Sequence, residues 1–125
     1  MKLGHLSVPG ECARISPILQ RIGDKWAVLI ILVLSENPKR FNALRREIES
    51  ISQRMLTLNL RALERDGLVR RTVHPTVPPQ VEYALTPLGA DLVPHLFALC
   101  EWSAHNLDRI EAARAAFEAD SAERA

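Results

Sequence analysis

The chain has 125 residues, of which 47% are hydrophobic and 25% charged, and its net charge is +1 at pH 7. This composition is typical of one soluble globular domain and leaves too little chain for two independent cores. The longest apolar run, Trp26–Leu34, is too short to cross a bilayer, and no cleavable signal segment is visible at the start. Two cysteines exclude a disulfide-rich secreted scaffold, so we expect a cytosolic protein with no membrane partner.

The net charge conceals a segregation along the chain. Residues 39–81 carry nine Lys and Arg residues against four acids, whereas residues 82–125 carry three against eight. Binding to a phosphate backbone depends on local charge, so the basic segment is a candidate for nucleic-acid contact. Two solvated faces of opposite charge are the alternative explanation.

Two helices are predicted in the first third of the chain. Ser16-Pro17 has the form of a helix start, a capping hydroxyl followed by proline at the first helical position, and Gly23 ends this helix. Asp24 can cap the next segment. Its apolar, β-branched core, Trp26–Leu34, fits a buried helix or a buried strand equally well by periodicity. The cap and the stop at Asn37-Pro38 favour the helix.

Two further helices are predicted over Asn42–Glu47 and Ser52–Asp66, and Gly67 ends the second of them. Ser50 and Ser52 are both candidate N-caps for the second helix. We prefer Ser52, because the apolar stripe of the helix begins just after it. That stripe consists of Leu56, Leu60 and Leu63.

A β-hairpin is predicted next, with strands over Val69–Val73 and Val81–Leu85. The connection His74–Gln80 contains three prolines, which cannot donate hydrogen bonds to a sheet, so it should form a projecting tip. Thr86-Pro87 then begins a final helical region, which Pro94 should kink or divide. Beyond Pro94, apolar positions recur three and four residues apart over a length that favours a partner helix.

The order helix, turn, helix, strand, tip, strand predicts an α+β, mainly α, winged helix-turn-helix in a single domain, residues 1–125. This motif places its second helix in the major groove of DNA. No acid occurs between Ser50 and Leu63, and glutamine, arginine and threonine can match base edges, while Leu58 can contact a thymine methyl group or simply pack. The candidate base-reading residues are Ser52, Gln53, Arg54, Thr57, Leu58 and Arg61.

Contacts to the DNA backbone or minor groove are expected from basic and polar residues outside the second helix. An exposed polar helix face and a charged sheet edge would explain the same residues without DNA. The candidate backbone and wing residues are Arg40, Arg45, Arg46, Arg70, Arg71, His74 and Gln80.

Several motifs, in order, resemble the HxlR-type family of bacterial winged helix-turn-helix regulators, which is MarR-like in architecture. The resemblance covers about residues 12 to 105, and it favours the helix for Trp26–Leu34. The motifs are Ile22-Gly-Asp-Lys-Trp26, Arg40-Phe-Asn-Ala-Leu44, Ile51-Ser-Gln-Arg-Met-Leu-Thr57, Leu60-Arg-Ala-Leu-Glu-Arg-Asp-Gly-Leu68, Pro78-Pro-Gln-Val-Glu-Tyr-Ala-Leu-Thr86 and Leu99-Cys-Glu-Trp102.

The resemblance implies a homodimer that binds an inverted repeat and represses or activates nearby transcription, and of the two we expect repression. The DNA-binding core would span about residues 24–86, and the dimerisation elements would be N- and C-terminal helices at about 10–23 and 87–117. The candidate dimer-interface residues are Ile18, Leu96, Leu99, Ser103, Leu107 and Ile110.

The two cysteines receive different predictions. Cys12 lies where several members of this family sense oxidants or electrophiles, and a thiol just ahead of a helix N-terminus gains thiolate character. A small oxidant or electrophile is therefore the candidate effector. The alternative for Cys12 is a small buried hydrophobe at the dimer seam. Cys100 is expected to lie in the core.

An enzyme is not expected. The four histidines show neither an HExxH motif nor Cys/His metal spacing, so no metal and no cofactor is predicted. A thiol enzyme built on Cys12 would lack a positioned base. The expected partners are double-stranded DNA and a second copy of the chain, in the cytoplasm and at the nucleoid when bound. The alternative is a winged-helix protein-interaction module without sequence-specific DNA binding.

Overall fold

The structure is a computed structural model that describes residues 2–7 and 10–124, without the side chains of residues 3, 6, 7 and 10–12. Two compact units, Met1–Val93 and Pro94–Ala125, make up the chain. The elements are β1 (Lys2–Leu3), β2 (Leu6–Ser7), α1 (Gly10–Ile22), α2 (Lys25–Leu34), β3 (Lys39–Arg40), α3 (Phe41–Glu47), α4 (Gln53–Arg65), β4 (Val69–His74), β5 (Gln80–Leu85) and α5 (Pro87–Arg124).

The larger sheet of the first unit has three antiparallel strands in the order β3-β5-β4. The predicted hairpin is confirmed, and its register runs from Val69 opposite Leu85 to His74 opposite Gln80. Strand β3 was not predicted from the sequence. It is only two residues long and pairs with the middle of β5, so the local sequence carries no periodic signal for it.

Helix α2 forms the centre of the core. Asp24 caps it, since its Oδ1 accepts from the backbone N–H groups of Trp26 at 2.8 Å and Ala27 at 3.4 Å. The helix contacts α1, α3, α4 and β5, and Ile30 and Ile31 are fully buried. The prediction of a buried helix here is confirmed. An apolar run that is packed from several directions needs no polar face.

Helix α4 begins and ends where the sequence predicts. The Ser52 hydroxyl oxygen accepts from the N–H of Met55 at 3.0 Å, as an N-cap does. Ser50 is not the cap, because its φ of 72° places it in the preceding turn. At the other end Gly67 has a φ of +77°. There the N–H of Leu68 donates to the carbonyl of Leu63 at 2.9 Å, which satisfies an otherwise unpaired helix carbonyl.

The predicted start of α1 is wrong. The helix begins at Gly10 and continues through Pro17 instead of starting at Ser16. An interior proline removes the hydrogen bond that its own N–H would have donated and crowds the carbonyl four residues earlier, which can kink a helix without ending it, and Pro17 is exposed. The residues before it therefore complete helical turns ahead of it. The end of the helix before Gly23 is confirmed, and the Gly23 N–H donates to the Leu19 carbonyl at 2.9 Å.

Thr86 joins the end of the wing to the start of α5. Its hydroxyl donates to the carbonyl of Gly67 at 2.6 Å and accepts from the N–H of Gly89 at 3.1 Å. Gly89 approaches the backbone so closely that an added Cβ would lie 2.1 Å from the carbonyl oxygen of Leu68. The C-terminal end of α4, the wing and the first turn of α5 are thereby held together.

Helix α5 is continuous from Pro87 to Arg124, so Pro94 does not divide it, and a kink there stays a prediction. The boundary between the two compact units falls just before this proline. Within the second unit several large apolar side chains are exposed, namely Phe97, Leu99, Trp102, Leu107 and Phe117. In the part of the chain that the structure describes, no helix combines the length and apolar character needed to cross a membrane.

Candidate nucleic-acid interface

The two faces of α4 have opposite character. Its inner face carries Leu56, Leu60 and Leu63, which are buried in the first unit. At about 100° per residue, the positions opposite them belong to an arginine-rich outward face. All six residues predicted to read bases are exposed: Ser52, Gln53, Arg54, Thr57, Leu58 and Arg61.

The outward face of α4 shares a surface with the wing. Thr57 and Arg61 line one cleft of about 340 Å³ together with Arg71 of β4 and Tyr83 of β5. Tyr83 was not predicted from the sequence, because only the strand register brings it beside α4. An arginine of the second helix and an arginine of the wing thus border the same cleft.

The basic residues before α4 lie beside the half of β5 that is nearer the tip of the wing. Arg40 and Arg46 line a cleft of about 720 Å³ whose other wall includes Gln80 and Glu82 of β5. Arg45 and Arg46 also border a neighbouring recess. The two-residue strand β3 creates this arrangement, since the strand register places Arg40 opposite Glu82 of β5.

The arginines of this surface form no ion pair with a described side chain, although Glu64 lines the same cleft as Arg61 and Arg71. The ion pairs among all described side chains are Arg21–Asp66 and Lys39–Glu47, both at 2.9 Å, Arg124–Asp120 at 3.2 Å, and the longer His74–Glu82 contact at 3.7 Å. Arginines that are not held in ion pairs are available to phosphate groups. The set without a described partner is Arg40, Arg45, Arg46, Arg54, Arg61, Arg70 and Arg71.

Hydrogen bonds within α4 limit which groups of its polar side chains remain available to contact a ligand. The Thr57 hydroxyl donates to the carbonyl of Gln53 at 2.9 Å, which leaves its methyl group and an oxygen lone pair for a ligand. Asn59 is buried, and its amide donates to the carbonyl of Met55 at 2.9 Å. Asn59 therefore holds the helix and does not belong to the outward face.

The tip of the wing projects as predicted and has an apolar apex. Val77 is fully exposed. The turn before it is held by the Thr76 N–H, which donates to the His74 carbonyl at 2.8 Å, and by the Thr76 hydroxyl, which donates to the Pro78 carbonyl at 2.7 Å. The cations Arg70 and Arg71 are exposed at the base of the wing, away from this tip.

The side chains predicted for the dimer interface divide into two groups. Ile18, Leu99, Ser103 and Leu107 are exposed and Ile110 is half-buried. Leu96 differs, because it is 1% exposed in the single chain and leaves almost no surface for a partner to cover.

The cysteine predictions have different outcomes. The prediction that Cys100 lies in the core is wrong, since it is exposed on α5 as a free thiol. The prediction for Cys12 concerns a side chain outside the described residues. Among the residues that the structure does describe, no group of three or more His, Cys, Asp or Glu side chains could hold a metal ion.

The fold and this surface together define a class of protein. Helices α3 and α4, followed by the β4–β5 hairpin, form a winged helix-turn-helix whose outward face is rich in arginine. A model of the HxlR-like helix-turn-helix family matches residues 21–111. The chain belongs to this family, which confirms the resemblance drawn from its motifs.

Known relatives and structures agree with this assignment. The chain is 43% identical over 97 residues to the HTH-type transcriptional regulator YtfH of Escherichia coli K12, a match that covers 78% of this chain and 77% of YtfH. It superposes on the reduced form of the redox regulator HypR with a TM-score of 0.73, 44% identity and coverage of 79% and 98%.

A second solved structure, the reduced form of the transcriptional regulator YodB from Bacillus subtilis, gives a TM-score of 0.67 at 34% identity. It covers 78% of this chain and 92% of YodB. The family is one of transcriptional regulators, so the prediction that this chain is not an enzyme is confirmed.

Proposed function

We propose that the protein is a sequence-specific DNA-binding transcriptional regulator that acts in the cytoplasm as a homodimer on an inverted-repeat operator. The observation that carries the proposal is the arginine face of α4. Its cations form no ion pair with a described side chain, and Arg61 borders the same cleft as Arg71 of the wing. This surface can enter a groove and contact the flanking phosphates at once.

The residues of this surface have two proposed roles, contact with base edges and contact with phosphate groups. Arg54 can bind a guanine through two hydrogen bonds and Gln53 can bind an adenine in the same way. Both lie in the exposed first turn of α4. Arg45, Arg46, Arg70 and Arg71 carry their charge at the edges of the surface, where phosphate contact fixes the position of the protein without reading sequence.

A second copy of the chain would supply the other half of the interface. The exposed apolar side chains of α5 and Ile18 of α1 support this proposal, since a solvated helix seldom carries so many. In such a dimer the two copies of α4 should enter grooves ~34 Å apart or a multiple of that distance. The operator should then show two-fold symmetry.

A salt titration of DNA binding tests the proposal. Operators would first be selected from a random pool of duplexes, and their affinity then measured beside that of a scrambled duplex. With roughly six to ten phosphate contacts, affinity should fall by about 10³–10⁵ between about 50 and 200 mM salt. An affinity that does not change with salt concentration, or an equal affinity for the selected and the scrambled duplex, would contradict the proposal. Co-purification with an acidic protein and never with DNA would favour the interaction module instead.

We further propose that an oxidant or electrophile acts on DNA binding through Cys12. Two similar solved structures are the reduced and the oxidised form of the redox regulator HypR, which supports this proposal. Oxidation should change the affinity of the unaltered protein for its operator, and Cys12→Ser should abolish that change. Cys100→Ser is the matched control, since it removes the exposed thiol of α5. A full response in the Cys12→Ser variant would overturn the proposal.

A further inference from the structure

An apolar side chain interrupts the arginine row on the outward face of α4. Leu58 lies four residues after Arg54 and three before Arg61. Side chains at these spacings follow one another along one stripe of a helix. Leu58 is 49% exposed, so this leucine divides a row of cations that otherwise faces solvent.

The core does not require Leu58. The inner face of α4 is filled by Leu56, Leu60 and Leu63, which are at most 1% exposed, and Asn59 completes the buried side. A single exposed leucine is common on protein surfaces and carries no meaning alone. Its position matters here, because it lies in the middle of the face that the proposed function presents to base edges.

The neighbours of Leu58 reinforce the apolar character of this spot. The Thr57 hydroxyl hydrogen is used by the carbonyl of Gln53 at 2.9 Å, so its methyl group remains as apolar surface. Met55, one turn earlier, is also partly exposed. In the major groove the apolar feature of an unmodified base pair is the C5 methyl group of thymine.

We infer that Leu58 is a specificity-determining residue that contacts the methyl group of a thymine in each half-site. The inference rests on the DNA-binding role proposed above and adds the chemistry of one base to it. Arg54 precedes Leu58 by about 6 Å along the helix axis, which corresponds to about two base-pair steps. The thymine should therefore lie within about two base pairs of a guanine bound by Arg54.

Replacement of thymine by uracil tests this inference, because it removes the methyl group and leaves base pairing unchanged. Each thymine of a selected operator would be replaced singly by deoxyuridine, and the dissociation constant measured with the unaltered protein. One position per half-site should weaken binding about fourfold, the equivalent of ~0.8 kcal/mol for one buried methyl group. Replacement in both half-sites should weaken it about fifteenfold.

Leu58→Ala should remove this discrimination, so that the thymine and uracil operators bind equally well. Leu88→Ala is the matched control, because Leu88 is a 56% exposed leucine outside α4, and this variant should keep the full thymine preference. The thermal unfolding of both variants would confirm that they fold. The uracil series with the unaltered protein tests for the thymine contact even if a variant is unstable.

The results distinguish this inference from the proposed function. Steep salt dependence with no effect of uracil at any position would overturn the thymine contact and leave DNA binding intact. An undiminished uracil effect in Leu58→Ala would assign the methyl contact to another residue and also overturn it. The absence of any preference for the selected duplex would remove both.

Discussion

Helices α2 and α4 begin in the same way but have different roles. Both are capped by a side-chain oxygen, that of Asp24 and that of Ser52. After Lys25, α2 carries no charged residue, and other elements pack around it. Helix α4 buries one face and exposes arginines on the other. The start of a helix therefore says little about its role, whereas the distribution of burial around it separates a core helix from a binding helix.

The largest expected effect comes from the inner face of α4. Leu60→Ala should lower the free energy of unfolding by about 2–5 kcal/mol, because it leaves a cavity at a side chain that is 1% exposed. Leu58→Ala, two residues away on the outward face, should change stability by no more than about 0.5 kcal/mol. Chemical denaturation measures both changes. An equal loss of stability in the two variants would mean that α4 does not have one buried and one exposed face.

The outward face should show the opposite pattern. Arg54→Ala should cost about 1–3 kcal/mol of operator binding and relax the base preference at one position, with stability unchanged. Arg114→Ala, an exposed arginine of α5, is the control and should bind normally. Binding to a full set of single-base operator variants measures the effect. A uniform loss on every duplex would make Arg54 a phosphate contact.

The smallest expected effects come from the two caps, which α2 and α4 have in common. Ser52→Ala and Asp24→Ala should each lower stability by about 1 kcal/mol, because each leaves backbone N–H groups unpaired. Ser52→Asn and Asp24→Asn retain an acceptor and should lose less. Of the two alanine variants, only Ser52→Ala should also weaken DNA binding beyond its effect on stability. Equal DNA affinity of both variants would contradict the separate roles of the two helices.

Local signals were sufficient for the elements that carry the site. Ser52 and Gly67 bound α4, and the prolines of the wing leave little alternative to a projecting tip. Each of these signals acts through the residue's own backbone or a hydrogen bond a few residues away. The same kind of signal failed at Ser16-Pro17, because α1 tolerates an interior proline. It also failed for Cys100, whose apolar neighbours on α5 are themselves exposed.

The sequence by itself determined the order of the five helices, the ends of α4, the wing and the segregation of charge, because caps, turn residues and helical spacing are local properties. Only the tertiary structure decided that β3 pairs with β5 and that Arg61 borders the same cleft as Arg71. These features join residues far apart in the chain. They depend on which surfaces meet when the core packs, and no short stretch of sequence contains that information.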